Sequence, residues 1–472
     1  MFSLEQYGNM RLRRSLFGHF LQRDSMACAY HSLRLETLYF DSDLLPYVNE
    51  ATLKPVSDVL INLNEGDRAR FLDLLQRICD SAILVPADYR ETKYLDEVRD
   101  RISFCPCIRV LVLHLSDYCN LQCRYCFIEG AIDRSYRRRQ MTPTVVEAAL
   151  DLYSRITSGR KYSKAPSVVF YGGEPLMNAA VLAHALKYLD RLESSGRISP
   201  CDKILITNGT LITRPIAQLL KRHRVMASIS IDGPKEIHDA NRVSPTGRGS
   251  FSRAIAGFRI LREEGLSPTV SCVVSPQSLQ HRQEVVSFLL DHLGIKALGF
   301  NHVSIIPNVN DYSPEYEDAY ASWVLNVQDV IQDGYPRVYE RRMNHKLNNF
   351  LDGNLLRADC TGCGEQMSIS PEGQIGICQG YMGSRKTFKA NVFDDNFDPH
   401  HDPVFVEWAT RSPLNIPECF GCVALGTCGG GCPRNADALH GSIWTVDSAF
   451  CHFARKAQEW MIWRKYEATL TQ

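Results

Sequence analysis

The 472-residue chain has no excess of charge, since Lys+Arg and Asp+Glu both total 53. A balanced surface offers no net field to draw the whole molecule onto nucleic acid or an anionic membrane, and neither is expected as a partner. Long apolar runs are missing too. Runs such as Val110–Leu113 fall far short of the roughly 20 residues that cross a bilayer. Met1–Arg23 contains arginines and scattered apolar residues without a continuous hydrophobic stretch. It does not read as a secretion signal; a surface helix or an irregular start is expected, in a cytoplasmic protein. No internal repeat is evident. Hydrophobic residues at 44% and charged residues at 22% are ordinary for a globular protein, and the length allows two to four domains.

What the chain does have is cysteine, unevenly spread. Of 17 cysteines, three lie at Cys119, Cys123 and Cys126 and eight between Cys360 and Cys451. Disulfide frameworks belong mostly to small secreted domains, so clustered cysteines here point to metal or iron–sulfur ligation. The remaining six, Cys28, Cys79, Cys105, Cys107, Cys201 and Cys272, read mainly as small buried hydrophobes.

Between residues 108 and 310, β-rich runs alternate with amphipathic helical patterns. Strands are expected at Arg109–Leu115, Ser167–Tyr171, Lys203–Thr207, Val225–Ile231, Thr269–Val274 and Ala297–Ser304, with helices near 142–157, 177–194, 211–223, 250–265 and 278–293. Such alternation implies parallel strands joined by right-handed crossovers, and six units suit a partial (β/α)6 barrel. Ligands of such folds sit at the carboxyl ends of the strands. The expected division is an N-terminal α/β, winged-helix-like unit (1–104), the barrel (105–310), a helical bridge (311–359), a cysteine-rich domain (360–455) and a C-terminal tail (456–472). Within the first unit, Ala29–Phe40 reads as a strand or hairpin, followed by helices around 55–63 and 66–80 and the apolar run Ala82–Pro86.

Cys119-Asn-Leu-Gln-Cys123-Arg-Tyr-Cys126 directly follows the first expected barrel strand. Three thiolates on one loop can ligate three irons of a [4Fe–4S] cluster and leave the fourth open. The alternative is structural zinc, which usually pairs one Cys-x₂₋₄-Cys with a second, and no second pair follows nearby. The second strand leads into Gly172-Gly173-Glu174-Pro175, the third into Thr207-Asn208-Gly209 and the fourth into Ser230-Ile231-Asp232-Gly233.

Taken together, these motifs resemble the radical S-adenosylmethionine (SAM) superfamily. The resemblance implies that Cys119, Cys123 and Cys126 hold the catalytic cluster and that its open iron chelates SAM. It places Tyr125 near the adenine, Gly172, Gly173 and Glu174 at the methionyl amino group, and Asn208 and Ser230 along the ribose and carboxylate side. Arg242 is a candidate partner for a carboxylate, or a solvated arginine. The glycines are expected to let the backbone approach SAM closely.

The later cysteines, Cys363-x₉-Gly373-x₄-Cys378, Cys419-x₂-Cys422-x₅-Cys428-x₃-Cys432 and Cys451, resemble the SPASM extension of peptide-modifying members. This implies one auxiliary [4Fe–4S] cluster on Cys360, Cys363, Cys378 and Cys432 and another on Cys419, Cys422, Cys428 and Cys451, making three clusters in all. Cys360 sits closer to Cys363 than in the relatives. Sulfatase-maturing members carry an aspartate base after the cysteine matched by Cys378; here Gln379 stands there, and an amide cannot take a proton in that role.

The expected function is peptide or protein maturation. A 5′-deoxyadenosyl radical would abstract a hydrogen atom from a substrate, a ribosomally made precursor, and a thioether, ether or carbon–carbon cross-link would form. A flavodoxin or ferredoxin would supply electrons. Residues 1–104 occupy the place where related maturases grip a leader peptide by strand addition, though a cap without peptide contact fits equally. Radical oxidation of a side chain and a non-catalytic electron-transfer protein are the other readings.

Overall fold

The computed structural model describes residues 11–132, 136–304 and 313–470. The first and last residues of the chain, and the end of the expected barrel segment at 305–310, lie outside that range. Six parallel strands form where the sequence predicts them: β6 (Val110–Ser116), β7 (Ser167–Gly172), β8 (Asp202–Thr207), β9 (Val225–Ser230), β10 (Thr269–Val273) and β11 (Ala297–Asn301). Each pairs in parallel with the next, as in Val110↔Ser167 and Leu113↔Phe170. All seven residues of β6 are buried, the mark of a strand covered on both faces. One face, with Leu111, Leu113 and Leu115, joins the core that includes Val146, Leu150 and Leu186 of the crossover helices Pro143–Thr157 and Ala179–Ser194. The first of these helices starts where Thr142 accepts a hydrogen bond from the Val145 amide and proline takes the first turn, as a helix start requires. The expected final helix at 278–293 is broken into Pro276–Gln280, Arg282–Ser287 and a single wide turn at Phe288–His292.

The sheet does not stop at six strands. β12 (Tyr339–Glu340) adds in parallel beyond β11, and β13 (Gln366–Ile369) pairs in parallel with β6. The antiparallel β14 (Gln374–Gly376) and β15 (Ala390–Asn391) complete ten strands in the order β12-β11-β10-β9-β8-β7-β6-β13-β14-β15. The cysteine-rich region is thereby stitched to the first barrel strand. The stretch read as a tail is instead part of the helix Ser448–Leu470, which begins just before Cys451 and buries Met461, Ile462 and Trp463.

Toward the N-terminus, β1 (Leu12–Arg14) pairs antiparallel with β5 (Leu84–Pro86). β2 (Gly18–Arg23), β3 (Met26–His31) and β4 (Glu36–Asp41) form a separate antiparallel sheet. The Ala29–Phe40 run is thus two strands and a turn, in which Leu35 takes φ +59°. Alternation sorts β3. Ala27 and Ala29 join the cluster of Phe71 and Leu75 on the helix Glu65–Asp80, while Cys28 and Tyr30 join Phe350, Met461 and Ile462. No described helix is long and apolar enough to cross a membrane.

Candidate active site

The loop after β6 carries Cys119, Cys123 and Cys126 and is pinned at both neighbours: the Gln122 amide donates to Val243 O at 2.7 Å and the Arg124 amide to Asn241 O at 3.0 Å. The Cys119 sulfur accepts from the Leu121 amide and the Cys126 sulfur from the Glu129 amide, both at 3.4 Å. Burial pushes the Cys119 thiol up to about 12 and Cys123 to about 11, and Cys126 moves in the same direction. The nearby Cys123 and Cys126 add to the rise at Cys119. Neutral thiols packed this closely release their protons when a metal centre binds, and the N–H···S contacts stabilise the resulting thiolates.

The Gly172–Glu174 turn explains itself locally. Gly172 has φ +146°, and a Cβ there would lie 2.4 Å from Ser116 O; one on Gly173 would lie 2.5 Å from Tyr118 O. The Gly173 and Glu174 amides donate to those same two carbonyls at 2.7 and 2.9 Å. Both glycines are therefore demanded by the packing of this turn on the cysteine loop, a reason the sequence did not disclose. Glu174 is buried and accepts from the Leu176 amide (3.1 Å), the Thr207 hydroxyl (2.6 Å) and the Asn208 amide (2.8 Å). Burial outweighs these bonds and raises its carboxyl to about 7. The Asn208 side chain donates to Asn120 Oδ1 at 2.9 Å and approaches the Cys119 sulfur at 4.0 Å. Asn120 and Thr210, which the motif reading passed over, complete this small network.

Arg242 partners a carboxylate, but an internal one. It is not a solvated arginine: its Nε and Nη2 donate to the fully buried Asp232 at 2.9 and 3.1 Å. The Tyr125 hydroxyl donates to the same carboxylate, and the Arg242 guanidinium lies 5.3 Å from the Tyr125 ring centre. Asp232 thus fixes both the aromatic of the cysteine loop and the arginine. Its place just after β9 was the available signal, but its partners were not readable.

The eight later thiols fall into two mutually close sets. Cys360 is raised first by burial and then by Cys363, Cys378 and Cys432. Cys451 is raised to about 12 by burial and then by Cys428, Cys419 and Cys422. Backbone amides again meet sulfur, Gly362 to Cys360 at 3.4 Å and Gly380 to Cys378 at 3.3 Å. Among the described residues no group of three or more His, Cys, Asp or Glu is disposed to hold a metal ion. Thiolates are the donors that iron–sulfur clusters take, and by donor type these partly buried and buried thiols fit such groups.

A cavity of about 590 Å³ joins these parts. It is lined by Cys119, Cys123 and Cys126, by Tyr125, Gly172, Gly173, Glu174, Asn208, Ser230 and Arg242, and from the C-terminal region by Cys360, Cys432, Asp447 and Phe450. Gln379 also reaches it, its Oε1 already accepting from Gln366 Nε2 at 2.8 Å. Cys419, Cys422, Cys428 and Cys451 are not among its lining residues.

Residues 113–289 match the family model of the radical SAM superfamily. The chain is 24% identical over 449 residues, 89% of each chain, to the radical SAM cyclopropyl synthase TigE of Paramaledivibacter caminithermalis. It is 24% identical over 359 residues to a cysteine-type anaerobic sulfatase-maturating enzyme of Clostridium perfringens, covering 71% of this chain and 92% of that one. Among solved structures, native anSMEcpe with bound AdoMet superposes with TM-score 0.64 at 22% identity over 76% of this chain and 98% of its own. SuiB of Streptococcus suis bound to its precursor peptide SuiA gives TM-score 0.55 at 17% identity over 93% and 99%. These two share the fold.

Proposed function

The chain is a radical SAM enzyme, and on that premise we propose that it matures a ribosomally made peptide or protein by installing an intrapeptide cross-link through a thioether, ether or carbon–carbon bond. The observation that carries this reading is the shared cavity, whose wall contains the Cys119 loop on one side and Cys360 and Cys432 on the other. A substrate held there would touch both a radical source and an electron acceptor. That SuiB binds a precursor peptide supports a peptide substrate, and that TigE is a cyclopropyl synthase supports carbon–carbon bond formation.

Cys119, Cys123 and Cys126 would hold one [4Fe–4S] cluster with SAM, which together supply a primary carbon radical able to take a hydrogen atom from unactivated carbon. The chain's own part is placement. Gly172 and Gly173 hold the turn against the cysteine loop, Glu174 and Asn208 tie the ends of β7 and β8 together, and Asp232 locks Tyr125 and Arg242. Ser230 lines the same wall. Cys360, Cys363, Cys378 and Cys432, and separately Cys419, Cys422, Cys428 and Cys451, would hold two auxiliary clusters that take the substrate electron away. A flavodoxin or ferredoxin is the proposed electron source. Residues 1–104 are proposed as the leader-binding unit, 105–310 as the barrel, 311–359 as its bridge and 360–455 as the auxiliary-cluster domain.

Side-chain oxidation of the sulfatase type is the second reading, favoured by the likeness to sulfatase-maturating enzymes. Gln379 weighs against it, since its amide accepts no proton and is engaged by Gln366. The test is anaerobic incubation of the reconstituted enzyme with SAM, a one-electron reductant and the precursor peptide encoded beside it. The expected product is lighter by two hydrogens and carries a new intrapeptide bond, with one 5′-deoxyadenosine per bond. An aldehyde at a serine or cysteine would establish the second reading instead.

A further inference from the structure

Below the first cavity lies a second, of about 710 Å³, at the other end of the sheet. Its wall includes Ser228, Val270 and Gly299, nearer the amino ends of β9, β10 and β11, whereas Ser230, Val273 and His302 face the first cavity. The two share part of their lining, including Ser271, Asn301, Asp359, Cys360 and Arg342. Both volumes are of the size that ligand sites take.

Arg342 sits at this junction, on the first turn of the helix Arg341–Leu351. Two carboxylates lie within its electrostatic reach, Glu340 and Asp359, and both are engaged elsewhere. Glu340 accepts from the Phe300 amide at 3.2 Å and the Met343 amide at 2.6 Å. Asp359 is paired with the buried Lys346 at 2.7 Å. The Arg342 guanidinium itself makes no hydrogen bond and no ion pair among the described residues.

The rest of the lower wall repeats the imbalance. Glu365 is held by Arg109 at 2.7 Å, while Lys164 and Arg341 line the space without an acidic partner among the described residues. The neighbouring carboxylates favour the Arg342 charge from a distance but leave its donors unused at the junction of the two cavities, and a guanidinium's planar fork matches a carboxylate in bidentate fashion.

Building on the peptide-maturase reading, we propose that the lower chamber binds a carboxylate of the substrate peptide, the side chain of an Asp or Glu close to the residue being modified, with Arg342 as its principal partner. The acidic side chain would enter from the amino ends of β9–β11 and anchor at Arg342, leaving the neighbouring residue in the upper cavity beside the Cys119 loop. Arg342 then determines which peptides are accepted.

The test uses the full-length, iron-loaded enzyme with SAM and a synthetic random peptide mixture, made with free and with amidated C-termini. Peptides retained by the enzyme are sequenced. Wild type should enrich Asp or Glu at one position by on the order of tenfold in both mixtures. R342Q should lose that preference, R342K should keep it in weakened form, and R342E should exchange it for Lys or Arg. Equal iron content and circular dichroism would certify the folding of each variant, and if R342Q fails, the R342K and R342E pair carries the comparison. Enrichment confined to free C-termini and dependent on Arg342 would assign the carboxylate to the chain end and overturn the side-chain assignment. Peptides enriched without acidic preference, or with a preference that R342Q leaves intact, would overturn the inference and leave peptide maturation standing. No enrichment by wild type would overturn both.

Discussion

Asp232 shows how much of the site rests on single residues. It receives the Tyr125 hydroxyl, two guanidinium nitrogens of Arg242 and the Val273 amide at 3.0 Å, and is itself fully buried. Removing one partner of a buried pair leaves an uncompensated charge, at a cost of about 3–5 kcal/mol. Asp232→Ala should therefore lose about that much stability in urea unfolding and bind SAM more weakly, since Tyr125 loses its anchor. A loss under about 1 kcal/mol would show that Arg242 finds another partner. Sequence made Arg242 conspicuous and left Asp232 as the end of a motif, because the helix Lys235–Asn241 intervenes and no spacing rule says that the two meet. The cysteine loop was legible for the opposite reason: its ligands lie within eight consecutive residues. Glu174 was legible as part of a motif, but its protonation was not, because burial belongs to the fold.

At the scale of elements, the barrel strands were readable because each is a short apolar run between two amphipathic helices. β13 was not. Gln366–Ile369 is four residues long, and its partner β6 lies some 250 residues earlier in the chain. The helix Ser448–Leu470 was hidden because its apolar residues do not form one stripe. Phe453 and Ala457 join the main core, Met461, Ile462 and Trp463 the cluster with Tyr30, and Ala454 a small cluster with Cys428. This helix fastens the N-terminal sheet to the rest: Tyr39 donates to Ile462 O at 2.6 Å, and Arg23 lies 4.8 Å from the Trp463 ring centre. Trp463→Ala should cost about 3–5 kcal/mol and make residues 11–104 the first region cut in limited proteolysis. Unchanged cleavage and an unchanged urea midpoint would mean that the sheet is held mainly by other contacts.

Across the whole molecule, burial sets the response to acid. His19, His238 and His302 are lowered from 6.5 to about 4, and His31 and His114 to about 3, in each case chiefly by burial. Below pH 6.5 the unfolded chain takes up protons that the native state refuses, so stability must fall as pH drops from 6.5 toward 4, by up to roughly 1.4 kcal/mol per histidine per pH unit. Glu174 opposes this. Its raised carboxyl binds a proton in the native state first, which stabilises the fold as pH falls from about 7 toward 4.5. The raised Asp117, Glu317, Glu340 and Asp447 act in the same direction, but between pH 7 and pH 5 they stand against six lowered histidines, His345 included. The thermal midpoint should accordingly drop between pH 7 and pH 5, and a midpoint that rises on acidification would refute the account. On this scale the sequence had already shown three cysteine sets and a balanced charge, while the continuous sheet that joins them came only from the fold. The central claim is that the first of those sets generates the radical. The direct measurement is iron content and 5′-deoxyadenosine formation in the Cys119→Ala/Cys123→Ala/Cys126→Ala variant, reconstituted beside wild type. Wild type should hold about twelve irons and the variant about eight, with no 5′-deoxyadenosine from SAM and reductant; SAM cleavage that persists in the variant would contradict the assignment.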